Sequence, residues 1–319
     1  MFRTCWFAVV GCSGAPIETD TVPTEPPTTT DEPTDTGPTD PYVPPPPAPW
    51  EWPGVYVQRI SAGETHSCWV SEAGEVACWG DDTDGKVTDA PTSGVFTSVA
   101  VGIDSSCAMA DDGSITCWGS DEFGQTSAPV GTFTQLDCGS NFCCALDPAG
   151  LAHCWGAETD NRTLPPPGAL LSLDCGFGHA CGVSAANASM VCWGLNTFGQ
   201  ASPDEQTTYV QASSGVYHSC GLGEDGKPRC WGNDSANQTQ EPLFDFFHHL
   251  SSGNTHNCAL RRDLQAQCWG TGDFGQAAPL PGFYQQVSSG WFHTCAITTP
   301  PERVSCWGRN DYGEADGPM

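Results

Sequence analysis

The chain has 319 residues, with 38 Asp and Glu against 10 Lys and Arg, and a formal net charge of −28. So acidic a surface repels phosphate backbones, which argues against nucleic-acid binding. After the N-terminus no run approaches the roughly 18 apolar residues of a membrane-spanning helix, and 19 cysteines point away from a reducing compartment.

Residues 1–12 read MFRTCWFAVVGC, a single Arg3 before a short apolar run. Val9-Val10-Gly11-Cys12 resembles the lipobox of bacterial lipoproteins, which implies a signal segment, lipidation of Cys12 and an anchor in the cell envelope. A plain secretory signal is the alternative, because the apolar run is short for a signal peptide. Residues 13–53 are rich in Pro, Thr, Asp and Glu and contain no Lys or Arg. Such a segment has too little apolar surface for a core, so it is expected to be a disordered, semi-extended spacer.

From residue 54 to 319 the sequence repeats. The triplet Cys-Trp-Gly begins at Cys78, Cys117, Cys154, Cys192, Cys230, Cys268 and Cys306, at spacings of 37–39 residues. A glycine recurs in register at Gly63, Gly102, Gly139, Gly176, Gly215, Gly253 and Gly290, preceded by short apolar runs. Between it and each triplet lies a polar turn such as Asp111-Asp112-Gly113. Short apolar runs separated by turn signals read as strands, and a repeat near 38 residues is the size of one propeller blade. The expected fold is all-β: a seven-bladed β-propeller of four-stranded blades. The strand around Val55–Ala62 is expected to complete the last blade.

The segment Gly215-Val216-Tyr217-His218-Ser219-Cys220, then Cys230-Trp231-Gly232, and Phe198-Gly199-Gln200 elsewhere, resembles the regulator-of-chromosome-condensation repeat. The resemblance covers all seven copies and implies the propeller fold. It implies no single task, since propellers host many activities. The eponymous member is a nucleotide-exchange factor for a small GTPase. The acidic charge and the missing inter-blade insertion make exchange the least favoured role for this chain.

A second cysteine stands ten or eleven residues before each triplet, symmetric about the polar turn, so a hairpin sets the two opposite one another. This predicts Cys68–Cys78, Cys107–Cys117, Cys144–Cys154, Cys181–Cys192, Cys220–Cys230, Cys258–Cys268 and Cys295–Cys306. Zinc is the rival reading, but no CxxC-type pairs occur, and no metal or other cofactor is expected. Cys5, Cys12, Cys138, Cys143 and Cys175 remain. Cys138 and Cys175 share one repeat position in adjacent copies, and a bridge between them is left open.

Function is expected where the copies differ. The turns after the inner glycines carry Phe142, Phe177, Tyr217, Trp291 and Phe292, candidate binding residues in a polar rim. Phe123, Phe198, Phe274 and Tyr312 recur at one position and are expected to pack between blades. The serial histidines His66, His179, His218, His256 and His293 are expected to hydrogen-bond at each turn. Asp137 and Asp174 are the weak catalytic candidates, an acid–base pair near the channel. The reading that results is a monomeric, non-enzymatic extracytoplasmic propeller. It would capture a protein partner, or secondarily a glycan, on one loop face, tethered through a lipid anchor or secreted. The alternative is a propeller hydrolase or lyase.

Overall fold

The computed structural model describes residues 57–204, 206–242 and 245–318. The signal and lipobox segment with Cys5 and Cys12, and the spacer, lie outside the described residues. Twenty-one strands form seven separate antiparallel sheets of three, each in sequence order. The first blade holds β1 (Ile60–Ala62), β2 (His66–Val70) and β3 (Val76–Gly80). The second holds β4 (Phe96–Val101), β5 (Ser105–Ala110) and β6 (Ile115–Gly119). The third holds β7 (Gln135–Cys138), β8 (Phe142–Leu146) and β9 (Ala152–Gly156). The fourth holds β10 (Leu170–Cys175), β11 (His179–Ser184) and β12 (Met190–Gly194). In the fifth are β13 (Tyr209–Ser214), β14 (His218–Gly223) and β15 (Pro228–Gly232). The sixth has β16 (Phe247–Ser252), β17 (His256–Arg261) and β18 (Ala266–Gly270), and the seventh β19 (Tyr284–Ser289), β20 (His293–Thr298) and β21 (Val304–Gly308). The chain is a seven-bladed β-propeller.

Each blade has three paired strands where the sequence suggested four. The fourth segment closes on itself instead. In the second blade Asp121 accepts the Thr126 amide (2.9 Å) and Gln125 accepts the Phe123 amide (2.8 Å). The same bonds recur from Asn196, Gln200, Asp234, Gln238, Gln276 and Asn310. These side chains take the backbone donors that a fourth ladder would need. A second difference is at the ends: β1 pairs with β2 of its own blade, Ser61 opposite Cys68, and does not complete the last one.

What repeats in the sequence is what joins one blade to the next. A Cβ added at any of the seven inner glycines would come within 2.7 Å of the carbonyl oxygen of the next blade's glycine, so no larger residue fits at this crowded inner ring. Farther out, every CWG tryptophan donates its indole N–H to a backbone carbonyl of the preceding blade. The donors and acceptors are Trp118 to Lys86, Trp155 to Gln125, Trp193 to Arg162, Trp231 to Gln200, Trp269 to Gln238 and Trp307 to Gln276. The circuit closes when Trp79 of the first blade bonds Glu314 after the last (2.9 Å).

All seven expected hairpin disulfides are present, with Cα atoms 4.0–4.1 Å apart, set by register: Cys68 opposes Cys78, and so on through the blades. An eighth joins Cys138 to Cys143, which are opposed across the β7–β8 hairpin. The open Cys138–Cys175 bridge is therefore not formed. Cys175 is a buried free thiol. Equivalent side chains on neighbouring inner strands run parallel, whereas hairpin partners face each other, and the hairpin wins.

Candidate functional site

The two catalytic candidates have another occupation. Asp137 accepts the Cys175 amide and Asp174 the Ser214 amide, each at 2.5 Å, each in the next blade. Ser61, Ser213, Ser251 and Ser288 at the same repeat position accept the corresponding amides of Val101, Ser252, Ser289 and Ala62. The aspartates are thus members of a ring of inter-blade acceptors. Burial raises both carboxyls above the usual range, and the Asp137 charge raises Asp174 further.

The serial histidines join blades too. His66 Nε2 bonds Ser106 of the next blade (2.8 Å), His179 bonds Ser219, His218 bonds Asn257, His256 bonds Thr294, and His293 bonds Ser67. All five are fully buried. Burial holds them neutral, down to about 4 for His218 and about 3 for the rest. This is the hydrogen-bonding role read from their serial repetition. Phe142 occupies the same slot in the third blade and is 0 % exposed, so it is not a surface binding residue. Its place in the register, at the start of β8, puts it in one apolar cluster with Ala180 of the fourth blade, where the five histidines meet Ser, Asn or Thr.

The other four aromatics come together on the glycine-turn face. Phe177 of the fourth blade and Trp291 of the seventh meet across the channel mouth, with ring centroids 5.7 Å apart. Phe177 also packs on Tyr217 (5.8 Å) and Trp291 on Phe292 (6.2 Å). The chain of rings extends outward at both ends, to Phe198 beside Tyr217 (5.2 Å) and Phe274 beside Phe292 (5.5 Å). The turns carrying it are fixed by backbone bonds to neighbouring blades: Phe177 N–H to Gly215, Trp291 N–H to Gly63.

Phe198, Phe274, Phe123 and Tyr312 were expected between blades, but they are 48 %, 52 %, 48 % and 55 % exposed. Each is held at the tip of a turn whose polar side chains point inward, with the following glycine at φ near +80°. The Asx and Gln residues flanking the aromatic were the available signal, since they close the turn and leave the ring outside.

The charges near this face are sorted. Its basic residues are paired: Lys86 and Arg162, both buried, with Asp81 (2.7 Å) and Asp160 (3.0 Å), and the partly buried Arg309 with Glu314 (3.0 Å). Asp82, Asp84, Asp121, Glu122, Asp273 and Asp311 are exposed. The acid-rich loop Asp81–Asp84 does not gather oxygens for an ion, because Lys86 takes Asp81 and the Val87 and Thr88 amides take Asp82.

Residues 57–86, 96–125, 209–238 and 284–314 match the family described as regulator of chromosome condensation (RCC1) repeat. These are the first, second, fifth and seventh copies. No curated protein matches the chain in sequence. Among solved structures, the ectodomain of the Physcomitrella patens receptor kinase CR4 is 28 % identical, with a TM-score of 0.68, over 78 % of this chain and 72 % of that one. The ectodomain of the Arabidopsis thaliana receptor kinase ACR4 is 22 % identical, with a TM-score of 0.70, over 82 % and 98 %. Prp20p of Saccharomyces cerevisiae is 16 % identical, with a TM-score of 0.63, over 83 % and 85 %.

Proposed function

Starting from a chain that belongs to the regulator of chromosome condensation (RCC1) repeat family, we propose that it is a non-enzymatic, extracytoplasmic binding propeller that captures a protein on its glycine-turn face. The observation that carries this reading is the aromatic row Phe198–Tyr217–Phe177–Trp291–Phe292–Phe274 across the channel mouth. The parts that repeat in each copy join blades, whereas these side chains are partly or largely open to solvent. Rigid aromatics on a disulfide-braced base lose little freedom on binding, which is what an anchor needs. Eight disulfides favour an oxidising compartment, and the 28 % identical neighbour is a receptor ectodomain. Attachment through a lipidated Cys12 belongs to the same proposal.

A hydrolase built on Asp137 and Asp174 is the less favoured reading, because both carboxylates already hold backbone amides of the next blade. The test is a pull-down with the oxidised full chain against envelope and culture fractions, with Phe177, Tyr217, Trp291 and Phe292 changed to Ala as control. A protein held by the native chain and released by the variant supports capture at this face. Equal retention by both removes the face from consideration.

A further inference from the structure

The face shows, within its own structure, how it holds a cation. The Arg309 guanidinium lies 4.4 Å from the centroid of Phe292 and 6.0 Å from that of Tyr312, backed by the Glu314 carboxylate. Aromatic faces attract guanidinium through the ring quadrupole, and a neighbouring carboxylate strengthens the arrangement. Among the described residues no cation lies over the remaining rings of the row, yet exposed acids stand on the outer loops: Asp273 beside Phe274 of the row, Asp311 beside Tyr312, and Glu122 beside Phe123, which holds the same repeat position. The more open bases sit elsewhere, Arg229 paired with Asp225 (2.8 Å) and Arg261 with Asp263 (3.4 Å). Lys227, Arg229, Arg261 and Arg303 lie at or beside the β14–β15, β17–β18 and β20–β21 hairpin turns, at the opposite end of the strands.

We propose that the aromatic face docks an arginine-bearing basic segment of a partner protein. The inference rests on the reading of this face as a capture surface and adds the chemistry of what is captured. Guanidinium groups would stack on the open rings while the rim acids neutralise them and steer the approach. Acidic proteins, nucleic acids and anionic membranes meet a face of their own sign.

The test uses the oxidised full chain and fluorescent arginine-rich and glutamate-rich peptides of equal length, followed by anisotropy at about 50 and about 200 mM salt. The arginine peptide is expected to bind, and more weakly at the higher salt. The Phe177→Ala/Trp291→Ala variant, whose net charge is unchanged, should weaken it by at least about tenfold. The Glu122→Gln/Asp273→Asn/Asp311→Asn variant should weaken it and flatten the salt dependence. Equal binding of the arginine peptide to the aromatic variant would mean diffuse attraction to an acidic protein and overturn the proposal, as would binding of the glutamate peptide. A pull-down partner that depends on the aromatics but ignores the charge variant would leave the capture surface standing and sink its cationic partner.

Discussion

The histidine ring makes the fold sensitive to acid. Each buried histidine has an unfolded value near 6.5 and a folded one near 3 or 4. Between those values the unfolded chain binds protons that the folded chain refuses, so stability falls as pH drops below 6.5. By about pH 5 the loss is on the order of 2 kcal/mol per histidine. The melting temperature should therefore fall steeply between about pH 6.5 and 4.5, and a His218→Gln variant should fall less steeply; an unchanged slope would show that this histidine is not held neutral. Asp137 and Asp174 work in the opposite sense, because raised folded values favour the folded state as pH falls. Asp137→Ser copies the other blades, so it should keep the inter-blade bond and stabilise the protein by roughly 1–3 kcal/mol at about pH 8, less in acid. Chemical denaturation at two pH values reads this directly. The repeat register made these residues legible as a set, but which neighbour they touch was not. The pairing is nonetheless written in the chain: His meets Ser, Asn or Thr in the next blade, and Phe142 clusters with Ala180.

At the scale of the element, the hairpin was the most readable unit, because cysteine spacing and turn residues both specify it. Cys258 and Cys268 close a small loop, and changing both to Ala should cost about 2–3 kcal/mol through the freed unfolded chain. Calorimetry should show a lower melting temperature with the other hairpin bridges intact. Non-reducing peptide mapping should find Cys138 linked to Cys143 and Cys175 free; a Cys138–Cys175 peptide would contradict the hairpin register. The outer segment was misread because its length suits a strand, while its Asp, Asn and Gln side chains bind their own backbone. That same error hid how open Phe198 and Phe274 are: each lays one side on an aromatic of the next blade and leaves the other to solvent.

The whole molecule is a ring whose last joint is made by its C-terminal segment. Trp79 takes the carbonyl of Glu314, and Arg309 donates to the carbonyl of Glu64. A chain ending at residue 308 should lose this joint and melt well below the full chain, by more than loss of one equivalent turn elsewhere, such as Gln238 shortened by deletion of its loop. Similar melting of the two would place the closure energy in the inner strands instead. Seven repeats predicted seven blades, but no local signal could place the aromatics together, since Phe177 and Trp291 meet only through the curvature of the ring. Contacts made by blades four, five and seven cannot exist on a nascent or half-assembled chain, so the surface proposed for capture is the last thing to come into being. A partner that binds it thereby certifies a finished molecule, and unfinished copies are invisible to it.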